Sequence, residues 1–241
     1  MNTSVEDLIQ EFIEQEIPKR KALNVIILCG SYAVGKATER SDIDLCFIGD
    51  FSEFQRESHV YKKREFQLMI SSWSWYEAVI QNYERKNNID TITTMLAKGQ
   101  CLWGESERWI NLKKLAIKYY NMGPNPATKD EIRKLRVRIT DLWNDYCAST
   151  EENNRNWLSF HIIQVCVEVH FIIRNWWGTK TKYQLEELEK RDPHMNSLVG
   201  NCLKAKGTKE DILYTLCNHV LNPIGGFMNE SWSSRTESGK N

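Results

Sequence analysis

The sequence predicts an α/β (α+β) N-terminal domain built on a small mixed sheet, followed by an all-α helical bundle. Two observations carry this expectation. Short apolar runs that read as strands stand around Leu28, Phe47 and Leu68, in the first half of the chain. Beyond Asn125-Pro126 the texture changes to long helical periods, in segments joined by short polar links. The boundaries read from this change of texture are 1–115 for the α/β domain, 116–229 for the bundle and 230–241 for a polar, Ser-rich tail expected to be mobile.

In chain order, Ser4-x-x-Asp7 caps an opening helix in which Val5, Leu8, Ile9, Phe12 and Ile13 share a face. Val25-Ile26-Ile27-Leu28 reads as a buried strand that turns at Gly30, with a helix opening after Ser31. Asp42-Ile43-Asp44-Leu45-Cys46-Phe47-Ile48 is a second strand and Arg64-Glu65-Phe66-Gln67-Leu68-Met69-Ile70 a third. A helix is expected after Trp75, and residues 90–96 lead into Gly99-Gln100-Cys101-Leu102-Trp103-Gly104, a short apolar element bounded by glycines. In the second half, Thr128-x-x-Glu131 forms a capping box ahead of the stripe Ile132, Leu135, Ile139, Leu142 and Tyr146. Further helices are expected over 157–177, 183–190, 196–204 and 209–221.

The chemistry concentrates in GSYAVGKATERSDID, residues 30–44. Gly30 has no Cβ, so a phosphate can approach its backbone, and Ser31 adds a hydroxyl and an N–H near the start of a helix. Side chains on a strand alternate faces, so Asp42 and Asp44 project the same way. Two like charges on one face want a cation between them, and paired carboxylates supply hard oxygen ligands to Mg²⁺. On the third strand the same alternation puts Glu65 and Gln67 on one face, so Glu65 can turn toward the metal site. Lys36 and Arg40, in the loop between the two halves of the motif, are cations within reach of phosphate oxygens.

Gly-Ser, a spacer of about ten residues and then an Asp-x-Asp flanked by hydrophobic residues resembles the signature of the DNA polymerase β-like nucleotidyltransferase superfamily. An α/β domain of this kind followed by a helical bundle resembles the kanamycin-type and aminoglycoside nucleotidyltransferases. The resemblance implies a phosphate-binding pair at Gly30 and Ser31, metal ligands at Asp42 and Asp44, and a third carboxylate on a later strand. Glu65 is the candidate for that third ligand, whereas Gln67 stands where the family pattern would place the acid. It further implies transfer of a nucleoside monophosphate, AMP from ATP before any other NTP, to an acceptor hydroxyl with two Mg²⁺ ions. The acceptor is expected to be a small, aminoglycoside-like molecule, with a tRNA end or a protein hydroxyl left open, and a homodimer is left open as well. In such proteins the helical domain helps to hold the acceptor and can lend the base. On the 157–177 segment His161, Gln164, Glu168 and Asn175 fall within a sector of about 60° on an otherwise apolar helix, which makes Glu168 the candidate base.

Composition sets the outer limits. The chain of 241 residues carries 32 Lys+Arg against 32 Asp+Glu, so no basic field grips nucleic acid non-specifically. Its 7 cysteines, an odd set without a Cys-x-x-Cys pair, read as reduced core thiols, several of them in apolar runs. No uninterrupted apolar run has membrane-spanning length and the N-terminus lacks a signal-peptide layout, so a cytoplasmic location without membrane partners is expected. Two rivals remain: a catalytically weak nucleotide-binding or interaction protein of the same fold, and a ribonuclease suggested by Arg155 and His161, whose spacing resembles the Arg-x4–6-His pattern of HEPN-type enzymes.

Overall fold

The computed structural model describes residues 4–104, 106–205 and 210–233. The chain divides into two compact units between Asn125 and Pro126. The first is an α+β unit around a five-stranded mixed sheet and the second is a helical bundle, the fold class expected from the sequence.

The first unit opens with α1, Val5–Glu16, whose capping box is formed as the Ser4 hydroxyl accepts from Asp7 N and the Asp7 carboxylate accepts from Ser4 N. The strands are β1 (Leu23–Cys29), β2 (Ile43–Gly49), β3 (Gln55–Tyr61), β4 (Arg64–Ser72) and β5 (Gln100–Trp103), in the spatial order β3-β4-β2-β1-β5. Only the β2–β4 pair is parallel. Between β1 and β2 lies the single turn α2, Gly30–Ala33. After β4 come α3 (Trp73–Ala78), a π-helical turn over Val79–Tyr83, α4 (Glu84–Asn87) and α5 (Thr91–Lys98), with α6 (Glu107–Met122) after β5.

Both faces of the sheet are covered, which is why β1 and β2 read as nearly continuous apolar runs. Leu8, Ile9, Phe12 and Ile13 of α1 pack on the face made by Ile26, Leu28, Leu45, Phe47, Phe66 and Leu68. Val25, Ile27, Cys46 and Ile48 point the other way, into Trp73, Tyr76, Ile80, Leu96, Trp109, Leu112 and Ala116. α6 therefore belongs to the first core. The boundary drawn from the sequence at residue 115 falls inside this helix, and the units divide ten residues later, after Gly123 and Asn125 are tied to α4 by Arg85.

β3 is the strand that the sequence does not announce. It is polar at nearly every position, and its two-residue hairpin to β4 is Lys62-Lys63, both with positive φ (46° and 66°). Such a turn favours Asn-Gly or Asp-Gly, and this one carries neither.

The second unit contains α7 (Lys129–Ala148), α8 (Glu152–Ile173), α9 (Thr181–Arg191), α10 (Pro193–Lys204) and α11 (Glu210–Leu221). Its core gathers Ile139 and Tyr146, Ile162, Val165, Cys166 and Val169, Leu188, Val199 and Cys202, and Leu213, Leu216, Cys217 and Val220. α8 starts five residues before the expected segment and ends at Ile173, so Asn175 lies beyond the helix, with φ 54°, and is not part of its polar stripe. α8 is long and apolar enough to cross a membrane, yet half of its apolar window is buried inside this unit. The expected start of α11 at Lys209 and most of the expected mobile tail, 234–241, lie outside the described residues.

A charged cluster pins α1 to the sheet edge. Arg20 donates to Glu16 at 2.9 Å and to Glu57 of β3 at 2.6 Å, while its guanidinium stacks on Phe47. Burial works to raise the Glu16 carboxyl, but bonds and charges from Lys19 and Arg20 overcome it and leave it below the usual value. Arg20, and secondarily His59, also lower Glu57 against a smaller burial effect. The resulting stability is present above the ordinary carboxylate range near 4.5 and is lost as pH falls through the depressed folded values. Arg20→Ala leaves the buried Glu16 with Lys19 alone and takes away the strongest partner of Glu57, so it should cost about 1.5–3 kcal/mol in urea unfolding at pH 7, with a smaller loss below pH 4; an equal cost at both pH values would contradict this account.

Candidate functional site

The two halves of the Gly-Ser…Asp-x-Asp motif meet at one end of the sheet. β1 and β2 run antiparallel with Cys29 opposite Asp44, so the chain leaving β1 at Gly30 passes directly beside the second aspartate. Gly30 is required twice over. Its φ is +63°, and a Cβ added there would lie 2.0 Å from Asp44 Oδ2. The carboxylate of Asp44 thus occupies the space that any side chain at position 30 would need.

Local hydrogen bonds shape the loop that follows. Ser31 O accepts from Lys36 N at 2.9 Å, and Ala33 O accepts from the Gln100 side chain of β5 at 2.7 Å. Farther along, the Ser41 hydroxyl accepts from Thr38 N at 2.9 Å, and Arg64 of β4 donates to Glu39 O. Ser31 is half-buried; Lys36 and Arg40 are exposed on this loop. Asp42 is exposed just ahead of β2 and Asp44 is half-buried within it.

The parallel register of β2 and β4 decides what stands beside the aspartates. Gln67 is the partner of Asp44, and Phe66 that of Ile43. Continuing the register by one residue sets Glu65 alongside Asp42. Gln67 is in turn paired with Ser58 of β3, which makes a row Asp44–Gln67–Ser58 across three strands. Glu65 Oε1 accepts from the Ser58 hydroxyl at 2.9 Å and from the Gln67 amide, and that amide also donates to Ser58 at 3.2 Å. The Glu65 carboxylate is therefore steered by its neighbours on the same face. By register Asp42, Asp44 and Glu65 stand at the same end and on the same face of the sheet, with the Glu65 carboxylate bonded toward β3; their donors are all oxygens, the kind that a hard divalent cation takes.

Beneath this edge, on the same face of the sheet, Cys29 and Cys46 are buried with their sulfurs 3.5 Å apart. Burial, then Cys46, then the charge of Asp44, push the Cys29 thiol well up, so it stays protonated. Trp73 is a core residue that donates to Asn24 at 2.9 Å, and Trp177 is buried in the second unit. Trp75 is half-buried and stacks on Phe54 with ring centroids 4.5 Å apart, and Trp103 is exposed.

Glu168 belongs to the second unit, on the exposed stripe of α8 with His161 and Gln164. Both of its oxygens accept from Arg138 of α7 at 3.1 Å, a partner that helix periodicity alone does not disclose. Arg155, from the rival ribonuclease pattern, stacks on Tyr146, donates to Ser149 O and pairs with Glu210 at 3.1 Å, while His161 is exposed. Those bonds give Arg155 a role in joining α7, α8 and α11.

Residues 11–108 match the family model for polymerase beta nucleotidyltransferases, a span that contains every member of the motif from Gly30 to Gln67. The matched span lies within the first unit. No curated protein matches the chain. Among solved structures it is similar to a nucleotidyltransferase-like protein from Exiguobacterium sibiricum, at 13% identity and a TM-score of 0.49, covering 92% of this chain and 74% of that one.

Gly30→Ala tests the close approach itself. The left-handed backbone costs an alanine roughly 1–2 kcal/mol, and the added methyl must also displace the Asp44 carboxylate. Denaturant unfolding should register a loss at least that large, whereas unchanged stability would mean that Gly30 is an ordinary turn residue.

Proposed function

We propose that this chain transfers AMP from ATP to a hydroxyl of a small-molecule acceptor. The observation that carries the reading is the approach of Gly30 to Asp44, with Asp42 and Glu65 on the same edge, inside a span that matches a nucleotidyltransferase family. Gly30 and Ser31 offer close backbone access and a hydroxyl to the triphosphate, and Lys36 and Arg40 balance its charge from the loop. Asp42, Asp44 and Glu65 would hold Mg²⁺, two ions in the full complement. When bound, such ions neutralise the phosphates and orient the attacking hydroxyl.

In the transfer, the acceptor oxygen bonds to the α-phosphorus as the bond to the bridging oxygen breaks, and pyrophosphate leaves. The hydroxyl proton passes to a carboxylate, for which Glu168 is the proposed base. Its present partner is an exposed Arg138, and an exposed ion pair is worth at most about 1 kcal/mol, so an acceptor can displace it. The helical unit is proposed to hold the acceptor.

One observation favours a second reading. Gln67, not an acid, stands beside Asp44, and Glu65 is bonded to its neighbours. A site so built can bind MgATP and turn over slowly or not at all. Incubating the protein with α-labelled ATP, Mg²⁺ and a panel of hydroxylated acceptors separates the two: labelled acceptor with pyrophosphate release supports transfer, and binding without release supports the weaker activity.

Asp42→Asn and Asp44→Asn should each abolish transfer while leaving the fold intact, since each removes a charge with little change of shape. Full Mg²⁺-dependent activity in both would remove the assignment. Glu168→Gln should lower the rate roughly 10²–10⁴-fold with MgATP affinity nearly unchanged, and turnover at the parent rate would send the search for the base back to Glu65.

A further inference from the structure

The polar stripe on α8 leaves His170 unexplained, because it faces the interior. It is fully buried, and neither of its ring nitrogens has an aligned hydrogen-bond partner. His219, in the last turn of α11, has a buried Nε2 in the same condition. Buried polar atoms are nearly always satisfied, so three ring nitrogens without an aligned partner, beside a single carboxylate, leave donor capacity that a further ligand would use. Their rings lie 5.7 Å apart.

Asp192 completes the group. Its Oδ1 accepts from Met195 N at 3.0 Å as the N-cap of α10, which fixes the carboxylate and aims Oδ2 at the histidines. Oδ2 lies 3.2 Å from His170 Nε2 and 3.8 Å from His219 Nε2. The three ligand atoms are all within 4.8 Å of one another. Tetrahedral zinc, with bonds of about 2.0–2.1 Å to imidazole nitrogen, places its ligand atoms about 3.3–3.4 Å apart, so these separations need only small side-chain adjustments. His194 sits next to the group, its ring centroid 4.9 Å from that of His219.

We propose that His170, Asp192 and His219 form a transition-metal site, for zinc before other first-row divalent ions, that ties α8, α10 and α11 together. Two imidazoles and one carboxylate are a donor set for zinc rather than for Mg²⁺, which takes oxygen ligands. The site lies wholly in the helical unit and owes nothing to the aspartates of the nucleotidyltransferase domain. Its role is to hold three helices in register; with three protein ligands, the fourth tetrahedral position would fall to water or another small ligand.

The test uses the full chain without a polyhistidine tag, stripped with chelator and titrated with Zn²⁺ by calorimetry, then with Co²⁺ by visible absorption. One equivalent of Zn²⁺ should bind and raise the thermal midpoint, and Co²⁺ should give the absorption of a low-symmetry nitrogen–oxygen site. Asp192→Asn keeps the helix cap and His219→Gln alters a partly exposed position, so both variants should fold; each should weaken Zn²⁺ binding by at least about tenfold. The Asp42→Asn, Asp44→Asn double variant should bind the equivalent unchanged. Absence of Zn²⁺ binding, affinity unaltered in both cluster variants, or loss of the equivalent only in the aspartate double variant would each overturn the site.

Discussion

The parallel pairing of β2 with β4 is the constraint on which the candidate site rests. Register in a sheet is unforgiving, since a slip of one residue turns every side chain to the opposite face. Here the pairing of Asp44 with Gln67 brings Glu65 next to Asp42, and the antiparallel pairing of β1 with β2 brings Gly30 against Asp44. Apolar residues on the other face of the same strands, Leu45, Phe47, Phe66 and Leu68, are locked under α1. Burial on that face thus holds the acidic row on this one. A parallel pair needs a crossover; the chain makes it through β3, the edge strand, whose Ser58 then steers Glu65.

The same economy appears at the sheet edge and in the helical unit. Arg20 joins α1 to β3 through two glutamates, so the outermost strand, with little apolar surface of its own, is held by charge-assisted bonds. In the second unit the apolar face of α8 does the work of a core while its polar face carries Glu168, paired with Arg138 of α7. His170 is the exception on the apolar side, and the proposed metal would satisfy it.

Much of this was legible in the residues. The Gly-Ser…Asp-x-Asp spacing announced a turn beside paired carboxylates, and both capping boxes formed as read, because each depends on residues three apart in one chain segment. Strands β1, β2 and β4 were visible as apolar runs. What escaped depended on contacts distant in sequence. β3 is polar and turns at Lys62-Lys63, so neither hydrophobicity nor turn chemistry marked it. The end of the first unit was placed too early because α6 looks like the helices after it, and only its packing of Trp109, Leu112 and Ala116 assigns it to the sheet. Asn175 follows the helical period but sits past the last turn. The Arg138–Glu168 pair and the His170–Asp192–His219 group join residues 22 or more positions apart, beyond the reach of periodicity.

The central claim is that the edge formed by Gly30, Asp42, Asp44 and Glu65 takes a nucleotide together with a divalent cation. Calorimetric titration of ATP into the full chain, with Mg²⁺ and then with excess chelator, addresses it most directly. Saturable binding with Mg²⁺ that weakens by at least about tenfold, some 1.4 kcal/mol, both in chelator and in the Asp42→Asn, Asp44→Asn double variant is the predicted result. ATP affinity independent of the cation and of the two aspartates would contradict it.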